Sequence, residues 1–177
     1  MKTIKDRKKL NGFRGVFHRM SKNRLAMLGL FIIIVLVLMA VFADFVAPYT
    51  FDGTDLENQF AGPSAAHPFG QDEFGRDILS RVIYGARISL KVGFISVGIA
   101  LIVGSFIGAV TGYFGGRVDT ALMRFIDVLQ AIPDILLAIA IVASLGPGLG
   151  NLMIAVGIAG IPGYAKIVRS AVMSIVD

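Results

Sequence analysis

The sequence predicts an all-α membrane protein with four spanning helices, and three observations carry that prediction. Of its 177 residues, 55% are hydrophobic and only 16% charged, against roughly 45–50% and ~25% in soluble domains. The mean hydropathy is +0.76. Finally, residues 25–43, 92–116 and 135–165 contain no charged side chain, and uncharged apolar runs of about 18 or more residues read as membrane spans. The apolar content excludes a disordered chain, and the absence of cysteine excludes a disulfide scaffold.

Residues 1–24 read as a cytoplasmic basic tail. Nine of the 17 Lys and Arg fall here, opposed only by Asp6. Beside a span, such a cluster fixes a cytoplasmic N-terminus through the positive-inside rule rather than marking a nucleic-acid arm. Leu10, Phe13, Phe17 and Met20 recur at spacings of three and four, which describes either a short amphipathic helix on the inner leaflet or a disordered tail. The first span covers 25–47. Its uncharged part makes about 28 Å of helix, close to the ~30 Å hydrocarbon core. A signal peptide is the rival reading, but the apolar run exceeds the usual ~7–15 residues and Phe42 and Phe45 flank the would-be cleavage site.

Residues 48–87 read as an extracytoplasmic loop ending in an interfacial helix. Pro48, Gly53, Gly62, Pro63 and Pro68 break any period. From Arg76 to Lys91 a helical period returns, with Leu79, Val82, Ile83, Ala86 and Leu90 on one stripe. The remaining 88–177 form a partial transmembrane domain, with helices expected at about 92–114, 127–145 and 150–168. In the first of these, Ser96, Ala100, Gly104, Gly108, Gly112 and Gly116 place a small residue at every fourth position. Lipid supplies no hydrophobic pull between helices, so such a stripe is read as a surface for close helix packing.

The next span poses a length problem. Residues 135–145 are too few to cross before Gly146-Pro147-Gly148, so the span is expected to reach back to about Asp127, carrying a kinking Pro133 and Asp134 within it. An intramembrane carboxylate faces protein or a wet cavity; the alternative is a tilted span with Asp134 near the headgroups. Pro133 and Asp134 are therefore candidate pathway or interface residues. A fourth span over 150–168 precedes Lys166 and Arg169, which can snorkel to the inner face. The resulting topology puts 13 Lys and Arg inside and four outside, as the positive-inside rule requires.

The chemistry of an enzyme is missing. No Walker-type loop occurs; Gly112-Tyr113-Phe114-Gly115-Gly116 ends in Arg117. His18 and His67 are the only histidines and fall on opposite predicted sides of the membrane, which argues against a zinc site. Asp52, Asp55 and Glu57 lack the spacing of a calcium loop and read as a solvated acidic turn. No catalytic residue, cofactor or metal site is expected.

The stretch His-Pro-Phe-Gly-Gln-Asp-Glu-Phe-Gly-Arg-Asp over 67–77, followed by Ile-Leu-Ser-Arg-Val-Ile-Tyr-Gly-Ala-Arg-Ile-Ser-Leu over 78–90, resembles the dipeptide, oligopeptide and nickel class of ABC-importer permease subunits, specifically the second of the paired permeases. His67, Gly70, Asp72, Gly75, Arg76 and Asp77 carry the extracytoplasmic motif. Further matches are Gly112-Tyr113-Phe114-Gly115-Gly116 with Asp119, then Met123-Arg124, Asp127, Ala131-Ile132-Pro133, Leu145-Gly146-Pro147-Gly148, and Pro162-Gly163-Tyr164-Ala165-Lys166 with Arg169. The resemblance implies a type I importer subunit in a prokaryotic cell membrane. Its partners would be a homologous permease, two cytoplasmic ATPases and an extracytoplasmic solute-binding protein, with the lipid bilayer around it and no nucleic acid.

The sequence departs from the family at Asp134, where an apolar or small residue is usual, and at Lys166, where arginine is common. The family fold has six spans and continues into a coupling helix with a Glu-Ala-Ala motif, so the resemblance implies a permease cut short before that helix. The leading expectation is a subunit lining the pathway for peptides or a related small solute. The alternatives are a fragment of an ion-coupled secondary transporter or channel, with Asp134 as its ion site, and a non-transporting membrane scaffold.

Overall fold

The computed structural model describes residues 20–176, so the basic tail expected over 1–24 lies outside the described residues up to position 19. The chain divides into two compact units, Met1–Arg87 and Ile88–Asp177. Among the described residues the elements are helical, and the one pairing outside helices is an isolated antiparallel bridge between Gln71 and Asp77.

In the first unit, α1 (Arg24–Val41) begins at Asn23, whose side-chain oxygen accepts from the backbone N–H of Leu25 at 3.0 Å and of Ala26 at 3.3 Å. No charge follows Arg24 within it, and Phe31, Ile33 and Val41 are each 60% or more exposed. A helix apolar on all sides requires an apolar surround. After a break at Phe42, α2 (Ala43–Val46) adds one turn. The end of α1 would leave carbonyls without intrahelical donors. Arg87 meets them: its Nε donates to the Ala40 carbonyl at 2.9 Å and its Nη2 to Val41 at 3.3 Å, with the Asp44 carboxylate at 3.0 Å. A loop with a short 3-10 turn (Leu56–Asn58) leads to the start of α3 (Ile78–Phe114).

Helix α3 corrects one expectation. The sequence suggests an interfacial helix that turns into a separate span, whereas the chain is helical without interruption from Ile78 to Phe114, about 55 Å by helical rise. No proline falls in this stretch, and a lone glycine such as Gly85 costs only ~1 kcal/mol. The amphipathic period therefore runs directly into the apolar one.

The second unit comprises residues 88–114 of α3, with α4 (Gly116–Ala131), α5 (Asp134–Leu145) and α6 (Leu149–Val176). The single helix expected over 127–145 is instead two helices meeting at 90°. Pro133 offers no N–H and disfavours helical φ/ψ at the residue before it; Ile132 accordingly sits at φ −90°, ψ 127° and Pro133 at φ −54°, ψ 131°. Two successive extended residues make a corner, not a kink. Asp134 is then the first residue of α5 rather than the middle of a span.

Helices α3 and α6 pack closely. The Ser96 hydroxyl donates to the Met153 carbonyl at 3.0 Å. A Cβ placed on Gly104 would lie 2.8 Å from the Ile161 carbonyl, and one on Gly112 would lie 2.9 Å from the Arg169 carbonyl. One on Gly108 would overlap the Ala165 carbonyl, and Gly160 of α6 faces the Ala100 side chain in the same way. Partners rise together along both helices, so α3 and α6 run parallel where they touch. Gly116 is the exception. It lies beyond the end of α3, a Cβ on it would meet nothing within 4 Å, and with Gly115 it adopts positive φ (+53° and +57°) to turn the chain into α4. Small residues also line α6, where Ala155, Gly157, Ala159 and Ala165 are buried and Pro162 sits inside the helix.

Candidate functional site

Three arrangements hold most of the chemistry-bearing residues. The first is the 67–77 motif in the first unit, a tightly bonded knot at the start of α3. Asp77 caps the helix: its Oδ2 accepts from the Ser80 N–H at 2.7 Å while Oδ1 lies 3.0 Å from His67 Nδ1. The Ser80 hydroxyl in turn accepts from the Tyr49 N–H at 3.1 Å. The Tyr49 ring stacks on the His67 imidazole with centroids 4.6 Å apart, and its hydroxyl donates to the Ala66 carbonyl. Asp72 gathers four donors, the backbone N–H of Phe74 and Arg76 and the guanidinium groups of Arg76 and Arg81. The glycines are steric requirements. Gly70 and Gly75 have φ +76° and +69°, and a Cβ at Gly75 would overlap the Asp55 carbonyl.

This knot sets the local electrostatics. Burial raises the Asp72 carboxyl, but the backbone donors of Arg76 and Phe74 and the Arg76 guanidinium outweigh it and hold the group at about 2. At Asp77 burial likewise raises, and the donors of Ser80 together with His67 prevail, leaving it below the usual carboxylate value. A cavity of about 450 Å³ with mixed polar and apolar walls opens beside the knot, lined among others by Tyr49, Asp55, His67, Gln71 and Asp77. His67, Gly70, Gln71, Asp72, Gly75, Arg76 and Asp77 therefore each help to close the loop onto the helix.

The second arrangement clasps α4 to α6. Arg169 Nε and Nη2 donate to the two oxygens of Asp119 at 2.5 and 2.6 Å, a bidentate pair. Lys166 Nζ lies 2.7 Å from Asp127 and also meets the Gln130 side chain. Between these pairs Ile126 is buried against Ile161 and Ala165. Sequence reasoning sends Lys166 and Arg169 toward headgroups; the structure gives each a carboxylate on α4. The partners lie 39 to 50 positions apart, so no short-range spacing betrays them. The shared family motif is the one signal that groups them.

The third is the corner at Pro133 and Asp134. Asp134 is exposed and lines a cavity of about 260 Å³ between α5 and α6 with Ile135, Ala138, Val156, Ala159 and Gly160. Among the described residues no three His, Cys, Asp or Glu side chains converge to hold a metal, and His18 lies outside the described residues.

Comparison with known proteins follows these features along the chain. Residues 13–63 match the family described as the N-terminal TM domain of oligopeptide transport permease C. Residues 104–177 match that of the binding-protein-dependent transport system inner membrane component. A dipeptide transport system permease protein DppC of Alkalihalophilus pseudofirmus is 47% identical over 92% of this chain and 54% of its own length. The protein of the same description from Bacillus subtilis is 43% identical over 96% of this chain and 53% of its own length. A glutathione transport system permease protein GsiD of Pectobacterium atrosepticum is 39% identical over 94% and 56%. The chain belongs to the family of inner-membrane permease components of binding-protein-dependent transport systems. It spans about half the length of the curated relatives it matches.

Proposed function

We propose that the chain acts as a membrane-spanning permease subunit of an ABC importer. With a homologous permease it forms the pathway for peptides or a related small solute, multi-pass in the cell membrane of a prokaryote with its N-terminus cytoplasmic. A solute-binding protein delivers the solute, and two ATPase subunits supply the work. The carrying observation is the 47% identity to a dipeptide permease over nearly the whole chain. The dense α3–α6 packing supports the same reading, because a helix pair that must transmit movement in lipid needs close backbone contact. The chain's own contribution is positional: it builds the wall of a path, and hydrolysis belongs to its partners.

The test is uptake of a radiolabelled dipeptide into proteoliposomes holding the complete complex with its binding protein. Accumulation that requires ATP and stimulates its hydrolysis is expected. Uptake that ignores ATP and follows an imposed proton or sodium gradient would overturn the reading in favour of ion-coupled transport.

A further inference from the structure

Among the acids of the second unit, Asp134 stands apart. Asp119 and Asp127 are each paired with a cation on α6. The Asp134 carboxylate has no hydrogen-bond or ion-pair partner among the described residues, and it is the only charged group between Asp127 and Lys166. The walls around it are small and apolar, formed by Ala138, Ala159 and Gly160. They share Ile135, Ala138 and Val156 with an apolar cavity of about 470 Å³ that continues along Ile139, Val142 and Leu152. The two form one groove with a single carboxylate at its end.

Ala159 and Gly160, which face Asp134 across the groove, lie within the long apolar helix α6, roughly 16 Å of helical rise from its start, a distance comparable with half of a ~30 Å hydrocarbon core. A carboxylate at that depth is costly unless it meets water or a cation. The chemistry that completes such a site is an ammonium attached to a small apolar body. Its size also lies within the usual range for small-molecule sites, about 300–1,000 Å³.

Resting on the permease reading, we propose that Asp134 and the α5–α6 groove form a solute subsite. The carboxylate receives the free α-ammonium of a transported peptide and the groove receives its apolar side chain. Asp134 is then a specificity residue that favours peptides with an unblocked amino terminus.

The experiment compares ATP-dependent uptake of alanyl-phenylalanine with that of its N-acetylated form, in complexes carrying the native subunit, Asp134→Asn or Asp134→Glu. The binding protein is the same throughout, so a change in the uptake ratio reports the permease. Asp134→Asn is expected to lower the preference for the free amine about 10-fold, the scale of one lost charge-assisted hydrogen bond, and Asp134→Glu to retain most of it. An unchanged ratio in Asp134→Asn overturns the subsite. A native complex without ATP-dependent uptake overturns the permease reading itself.

Should Asp134→Asn fail to assemble, the native complex decides. A water-soluble carbodiimide activates the carboxylate, the peptide amine displaces the urea leaving group, and an amide forms. Mass spectrometry is expected to find alanyl-phenylalanine on Asp134 and no adduct from the acetylated peptide. Modification of other carboxylates by the dipeptide with none on Asp134 overturns the proposal.

Discussion

Arg169 on α6 holds Asp119 on α4 through two parallel hydrogen bonds, 2.5 and 2.6 Å long, with the two side chains only 31% and 17% exposed. A planar guanidinium fits this fork and an ammonium does not. Arg169→Lys keeps the charge and loses the second bond, so it is expected to lower the thermal midpoint of the detergent-solubilised complex. Asp119→Asn leaves a guanidinium without its counter-charge and is expected to cost more, about 1–3 kcal/mol. The double exchange Asp119→Arg with Arg169→Asp, recovering part of the loss, would confirm a direct pair.

Glycine substitutions in α3 separate packing from propensity. Gly108→Ala thrusts a methyl group into the Ala165 carbonyl and is expected to destabilise by about 1–3 kcal/mol, because backbone cannot yield as a side chain can. Gly98, on the same helix, has nothing within 4 Å of its would-be Cβ. Gly98→Ala should therefore be neutral or slightly stabilising. Equal loss of folded complex in both variants, read by size-exclusion chromatography, would refute the contact argument.

Acid should open the 67–77 knot at a definable pH. Asp72 titrates at about 2 in the folded protein against ~3.9 in an unfolded chain. A depressed folded value means that the contribution is fully present above about pH 4 and disappears as the pH falls toward 2. Amide exchange over 67–78 is expected to stay slow down to pH 4, after allowance for intrinsic rates, and to accelerate below it. In Asp72→Asn the acceleration should already be present at pH 6.

The same loop is intolerant at Gly75. Its φ of +69° and the Asp55 carbonyl facing it leave no place for a side chain. Gly75→Ala is expected to expose the loop to limited proteolysis, whereas Gly62→Ala, with open space around it, should not. Similar cleavage patterns in the two variants would contradict this account.

The stripe at 96, 100, 104, 108 and 112 is legible in the sequence because helix contact in lipid selects small side chains at a fixed period. Its sixth position is not, since nothing in the period announces that α3 ends at Phe114 and that Gly116 serves a turn. Pro133 signals an interruption and biases Ile132 toward extended backbone, but kink and corner differ by whether Pro133 itself also stays extended, at ψ 131°, which its own residue type does not determine. The pairs Asp119–Arg169 and Asp127–Lys166 are invisible to any local reading, because only the folded path of α4 brings them across from α6. The motif over 67–77 is conspicuous as a string, and its meaning as a cap and counter-charge network emerges only with Tyr49 and Ser80 in place.

Helix α4 has unusual attachments. Two left-handed glycines join it to α3, the extended Ile132 and Pro133 join it to α5, and two ion pairs on neighbouring turns of α6 fix its flank. It is thus held along its flank and jointed at both ends. A displacement of α6 would therefore reach α4 through the clasped side chains, whereas its neighbours α3 and α5 are joined to it only through extended or positive-φ residues.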